Sequence, residues 1–496
     1  MTDAPRFEVS TIDAHSARAD LLVLPMFDGP SLGPDGAEVG HALGVNLLDA
    51  LRRNGIRGKR GEMFALEGLG RLESKRVLLI AADRGDEVAA IRETGMRAGS
   101  AARPHRSVAT TVVTLAVDAS TAAAAFVEGF LLGSYRFDRH RSDVQPARTT
   151  SVKLLVAAGD RVGAKRGAER GTIVGAATNW ARDLTNAPAS ESTPELIADE
   201  AVVMAEGLGL SSKVWTRRAL ERGGFGGILG VGAGSANEPR LVELAYRGGG
   251  RARPIAVTGK GVTFDSGGLN VKRTSEMAWM RSDMAGGAAA LATVRAVAEL
   301  GLATNVIAAI PFAENMPGGS AIRPGDVVYH RGGRTSEVLD TDGEGRVMMA
   351  DSLAYLCEQR PAALLDSATL TDASGLGPDL WAAMGTDPAL VAGVISAGSE
   401  AGEPGWEIPL WERYRPTIDS AVADVKNVGD HDADSAILAG LFLKDFVADG
   451  VPWVHLDTGS SAWAEHPSDL WPEGATGVPT RAFVRFIERR ALRDGA

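Results

Sequence analysis

Short apolar runs alternate with helix-length stretches along almost the whole chain, and that alternation limits the fold more than any other feature. The runs 21–27 (LLVLPMF), 76–82 (RVLLIAA), 108–117 (VATTVVTLAV) and 152–158 read as buried strands, with helical patterns at 39–54, 87–102 and 120–135. Buried strands separated by helices call for a parallel or mixed sheet covered by helices. A helical pattern over 164–184 leads into TNAPASESTPELIADEA. There Pro188 and Pro194 punctuate the chain, and Ser192 or Thr193 can cap the helix that follows. Strands then recur at 212–215, 240–246, 254–258, 304–310, 361–367 and 453–457, with helices at 285–300, 436–449 and 479–493. A chain of 496 residues is too long for one ordinary core. The expected class is α/β in two domains: a smaller N-terminal α/β domain over 1–165 as scaffold or assembly module, a linker helix and junction at 166–190, and a larger domain over 191–496.

Composition narrows the function. Formal net charge is −11, from 52 Lys+Arg against 63 Asp+Glu, which argues against a nucleic-acid binder held by electrostatics. The one cysteine, Cys357, excludes an intrachain disulfide and a cysteine-rich zinc site. No apolar run approaches the ~20 residues that span a bilayer. The opening MTDAPRFEVS has no apolar core behind basic residues, so no signal peptide is expected and the cytoplasm is the expected location.

Charge concentrates in two places. The stretch 257–290 (VTGKGVTFDSGGLNVKRTSEMAWMRSDMAGGAAA) carries Lys260, Asp265, Lys272 and Asp283 among glycines, and 338–351 (VLDTDGEGRVMMAD) adds Asp342, Glu344 and Arg346. Lys260 follows the apolar IAVTG and so stands at the carboxyl end of a strand, the edge where open α/β sheets bind ligands. Alone it is a surface cation; beside carboxylates it can be an ion pair, a general acid or, with its pKa depressed by a cation, a neutral ligand. Asp265 alone is a turn residue and Asp283 alone a helix cap. In an extended segment Asp342 and Glu344 point to one side and repel unless a cation sits between them. Arg346 can share that face and hold an anion bidentately, or simply pair with a carboxylate. Oxygen-rich sites of this kind suit Mg, Mn or Zn in hydrolysis.

The words GKGVTFDSGG, MRSDMAGGAA and DTDGEGRV are similar to the two signature regions of the leucyl (cytosol) aminopeptidase family of dinuclear metallopeptidases. YRFDRHRSD, ARDLTNAP, SATLTDA, DVKNVGD, WVHLDTGSSAW and GATGVPTRAF agree with it. The resemblance implies that 191–496 is a catalytic α/β/α domain with a mixed central sheet. It implies that Lys260, Asp265, Asp283, Asp342 and Glu344 hold two divalent ions (Mn2+ or Zn2+), with Asp265 and Glu344 bridging. Lys272 would stabilise the oxyanion, and Arg346 would hold a bicarbonate ion as general base. Peptides are the implied substrates and a homohexamer the implied assembly.

The chain departs from the family pattern in places. Asp340, Gly343 and Val347 stand where the family usually has Asn, Ala and Leu, and Asp372 stands for a glycine beside the substrate pocket. Met280, Thr369, Asp372, Gly459 and Ala462 are the expected pocket residues; the pocket is expected to accept polar or basic side chains if Asp372 faces it, the alternative being that Asp372 points away. The acidic loop at 430–434 is expected near it. The competing functions are a dipeptidase or cysteinylglycine-type peptidase of the same chemistry, and a non-catalytic DNA-binding or structural role.

Overall fold

The computed structural model describes residues 4–116, 118–429, 433–468 and 471–494. Two compact units emerge: Met1–Asn179 with His466–Pro472, and Trp180–Glu465 with Glu473–Ala496. The division falls inside the continuous helix Arg161–Asn186.

The first unit is built on a sheet ordered Arg6–Ser10, Ser151–Leu155, Ser107–Thr110, Leu21–Phe27, Arg76–Ala81, Met63–Glu67. Its neighbours run parallel except at the Met63–Glu67 edge and at the short Ser31–Leu32 strand. Val39, Leu43, Leu47 and Leu51 pack in one apolar cluster, and Ile91, Phe126 and Phe130 pack in another. Two expectations change here. The helix expected at 39–54 is two, Gly36–Leu43 and Leu47–Arg53, because Gly44 turns left-handed at φ 69° and the Asn46 side chain caps the second. The strand expected at 108–117 ends at Thr110, whose hydroxyl accepts from Val112 N–H at 3.1 Å and turns the chain into a short 3-10 segment, Val112–Leu115; Val117 lies outside the described residues. Such side-chain bonds compete with the sheet ladder despite the β-branched run.

The second unit holds a mixed sheet ordered Gly405–Glu407, Trp381–Gly385, Trp453–Asp457, Ala363–Ala368, Ile255–Gly259, Asn305–Asn315, Arg240–Arg247, Ser211–Trp215, with Gly261–Asp265 beside Asn305–Asn315. Trp453–Asp457, Ala363–Ala368, Ile255–Gly259 and Asn305–Asn315 are mutually parallel, and the strands on either side of that block are antiparallel to it. Their carboxyl ends therefore share one edge: Asp457, Ala368, Gly259 and Asn315. The helix Ala285–Glu299 presses close to this edge. A Cβ on Gly286 would lie 2.1 Å from Ser367 O, and one on Gly259 2.2 Å from Gly286 O, so only glycine allows the approach. The helix Glu344–Cys357 packs with Ser435–Lys444 in a large apolar cluster that includes Ala256, Leu364 and Trp453. Among the described residues no helix is long and apolar enough to cross a membrane.

Candidate metal centre

Lys260 follows the strand Ile255–Gly259 directly. Its N–H donates to Ser367 O at 2.9 Å and its carbonyl accepts from Gly287 N–H at 2.7 Å, which fixes its backbone between the neighbouring strand and the helix start. Its ammonium lies 2.8 Å from Asp283 Oδ1 and 2.7 Å from Glu344 Oε1, and donates to Thr369 O at 2.9 Å. A Cβ on Gly345 would meet the Lys260 side chain at 2.6 Å, so glycine at 345 leaves the lysine its channel. Lys272 reaches the same cluster, at 2.9 Å from Asp265 Oδ2 and 2.5 Å from Asp342 Oδ1. Carboxylate oxygens of Asp265, Asp342 and Glu344 lie within 4.8 Å of one another. All seven charged residues singled out from the sequence thus gather here, with Arg346 on the first turn of the Glu344 helix.

One local expectation fails. Asp342, Glu344 and Arg346 do not alternate along an extended segment. Asp342 sits in a turn and Glu344 opens the helix Glu344–Cys357, so its carboxylate meets the site from a helix N-terminus. Gly345 permits the close approach to Lys260.

The electrostatics show a site overloaded with negative charge. Burial pushes Asp283 well above the usual carboxylate range, with Glu344 and Asp265 adding to it and Lys260 opposing. Burial and Asp265 likewise raise Glu344 against the pull of Lys260. Asp342 rises to about 7, through burial and Asp265, with Lys272 opposing. Burial alone would lower both lysines, but the surrounding carboxylates outweigh it and raise them. Two ammonium groups are too few for three buried carboxylates and the half-buried Asp342. Asp283 Oδ2 and Glu344 Oε2 have no hydrogen-bond partner, and a buried unsatisfied carboxylate oxygen is costly. A divalent cation is what this donor set lacks, so the residues fit the metals implied by the sequence.

Arg346 is 6% exposed; one NH group donates to Asn427 O at 2.9 Å, while Nε has no partner. Burial lowers its pKa, and Glu344, Asp457 and Asp340 draw it back. The expected pocket residues fare unevenly. Thr369 is tied to the centre twice, through its carbonyl to Lys260 and through Oγ1 to Asp283 Oδ1 at 2.7 Å. Met280 is half-buried and opens the turn Met280–Met284 that carries Asp283. Ala462 is buried. Gly459 has a steric reason of its own, because a Cβ there would lie 1.7 Å from Thr371 O. Asp372 is exposed, and its carbonyl accepts from Ser460 Oγ at 2.7 Å. Asp457 stitches these two loops, accepting from Thr371 Oγ1 at 2.5 Å and from Gly459 N–H at 3.1 Å. Of the acidic loop at 430–434, residues 430–432 lie outside the described residues, and Asp434 caps the helix Ser435–Lys444.

Sequence reading passed over the residues that lace the two charged stretches together. Asn315 Nδ2 donates to Asp265 Oδ1 at 2.8 Å and to Thr341 O at 2.9 Å. Thr341 Oγ1 donates to Gly267 O at 2.7 Å and accepts from Asn270 N–H at 2.8 Å. An asparagine closing a long buried strand was the available signal for Asn315. Beyond them lies a sealed trio: His330 Nε2 is 2.6 Å from Ser336 Oγ, and His330 Nδ1 is 3.3 Å from Asp351 Oδ1. Ser336 and Asp351 are fully enclosed, and Phe446 packs on the ring at 4.6 Å. Asp351 also accepts from the N–H groups of Ile228 and Arg331, so the trio acts as a joint under the Glu344 helix.

Residues 179–484 match the family model described as "Cytosol aminopeptidase family, catalytic domain", and 23–144 match "Cytosol aminopeptidase family, N-terminal domain". The chain is 39% identical over 485 residues to a "Probable cytosol aminopeptidase" of Rhodococcus jostii (strain RHA1), covering 95% of each. It is 39% identical over 501 residues to one of Roseiflexus castenholzii, covering 99% of each. Among solved structures it resembles a mutant of tomato leucine aminopeptidase (TM-score 0.88, 28% identity, 99% of this chain and 98% of that one). It also resembles the bottromycin maturation enzyme BotP in complex with Mn (TM-score 0.84, 34% identity, 95% of this chain and all of that one).

Proposed function

The chain belongs to the cytosol aminopeptidase family and is a metallo-aminopeptidase, and from that premise we propose that it releases N-terminal residues from peptides at a two-metal centre. Lys260, Asp265, Asp283, Asp342 and Glu344 would hold the ions, Mn2+ or Zn2+. As a ligand Lys260 would have to be the free amine, so binding would require it to give up its proton. A bound pair of divalent ions supplies an acidified water near neutral pH and polarises the scissile carbonyl. The remaining work belongs to the protein. Lys272, kept protonated by Asp265 and Asp342, stands ready to stabilise the oxyanion of the tetrahedral intermediate. Arg346, with its free Nε–H, would hold a bicarbonate ion that accepts the proton of the attacking water.

The observation that carries this reading is the meeting of four carboxylates from three separate segments with two of their oxygens unpartnered. Asp372 and Met280 would border the pocket for the N-terminal side chain, and the added acid would favour polar or basic residues there. We further propose a cytoplasmic homohexamer, testable by sedimentation equilibrium. The deciding experiment is hydrolysis of Leu, Arg and Lys aminoacyl substrates by protein reconstituted with Mn2+, Zn2+ or Co2+, with Asp265→Ala and Lys272→Ala as controls. Wild-type protein inactive with all three metals would end the proposal. Strong Leu preference unchanged by Asp372→Gly would remove the pocket assignment alone.

A further inference from the structure

Asn427 stands just past the short strand Val425–Lys426, which pairs with Thr335–Val338, and it is fully buried. Its side-chain amide has four hydrogen-bonding positions, two lone pairs on Oδ1 and two N–H groups on Nδ2. All four go to one loop. Oδ1 accepts from Leu339 N–H at 2.9 Å and Asp340 N–H at 3.3 Å, and Nδ2 donates to Asp340 O at 2.6 Å and Gly343 O at 3.2 Å. Its own carbonyl accepts from Arg346 at 2.9 Å. The loop so gripped contains Asp342 and runs straight into Glu344.

We propose that Asn427 is a positioning residue that locks the Asp342–Glu344 segment and the Arg346 guanidinium into one geometry. The metal ligands and the anion site are thereby set together. This rests on the metal and bicarbonate assignments above. An amide turned the other way would face two N–H donors with an NH2 group and two carbonyls with an oxygen, so the network fixes its orientation. Asp at 427 would keep the size and the acceptors but set a carboxylate oxygen against the carbonyls of Asp340 and Gly343.

The test compares Asn427→Ala and Asn427→Asp with wild type in three measurements: Mn2+ affinity of metal-free protein by titration calorimetry, the bicarbonate concentration giving half-maximal activity at saturating Mn2+, and the melting temperature. Both variants should bind Mn2+ about 10–100-fold more weakly. Both should need more bicarbonate and lose kcat more than they raise KM. Asn427→Asp should be no better than Asn427→Ala, and being nearly isosteric it carries the test if the alanine variant fails to fold. Wild-type Mn2+ affinity and bicarbonate dependence in Asn427→Asp would overturn the proposal, whatever happens to melting. If wild type binds Mn2+ and the variants are unshifted, Asn427 alone loses its role. If wild type takes up no Mn2+, the metal assignment falls first and this inference with it.

Discussion

Glu128 and Glu344 are both buried glutamates, at 2% and 3% exposure, in the first and second unit respectively. Glu128 lies on the helix Ala119–Ser134 and meets two guanidiniums, Arg92 and Arg170, each at 3.4 Å. Glu344 shares one lysine with Asp283, faces Asp265 and Asp342, and keeps an oxygen without a partner. The first unit closes this buried charge, whereas the candidate metal centre leaves its own open for an ion the chain does not encode. The two glutamates look alike in composition and opposite in surroundings.

The largest effect should follow loss of Lys272, the residue proposed to stabilise the oxyanion. Lys272→Met should lower kcat by about 10²–10³-fold while KM moves little, as expected for a group acting on the transition state. Steady-state kinetics with Mn-loaded protein measures this, and an equal change in KM would assign Lys272 to substrate binding. Next, Glu128→Gln should take the shared carboxylate from Arg92 and Arg170 and destabilise the protein by roughly 3–5 kcal/mol, towards the lower end because Arg170 is part-exposed. Urea unfolding reads it. Glu344→Gln should contrast with Glu128→Gln in metal-free protein, costing under about 1 kcal/mol, since relieved repulsion offsets the lost ion pair with Lys260. It should also abolish the Mn-dependent stabilisation of wild type, about 2.7 kcal/mol at a metal concentration 100 times Kd. Equal losses for the two glutamine variants would erase the contrast.

The smallest effect is a pH dependence. Asp342 has its pKa raised to about 7 in the folded protein, from near 3.8. The folded state then binds more protons than the unfolded one between those values, so stability falls as pH rises from about 4 to 7. Metal-free protein should melt lower at pH 7 than at pH 5, and Asp342→Asn should flatten that slope. Mn2+ should flatten it too, because a bound cation favours the ionised carboxylate.

Much of this was legible in the sequence because it is local. The run IAVTG announced a buried strand with Lys260 at its end, and glycines marked the tight approaches around Asp265 and Asp283. The α/β class followed from the alternation of runs. What the chain does not announce is contact at long range. The glycines at 343 and 345 pointed to a shaped loop around Asp342, while the helix that takes over at Glu344 is set by packing against distant segments. Asn315 and Asn427 are unremarkable letters until Asp265 and the 339–343 loop are folded against them. Thr110 ended a β-branched run with a single hydroxyl bond that no propensity foretells.

The enclosed trio of Ser336, His330 and Asp351 has a pharmacological consequence. It has the residue types and order of contacts of a serine hydrolase, yet its hydroxyl has no route to solvent. A fluorophosphonate probe should therefore leave the folded protein unlabelled at Ser336, while chelators should silence it. Profiling by reagent class would place this hydrolase by the residues its inhibitors can reach, and a search for triads by geometry alone would misfile it.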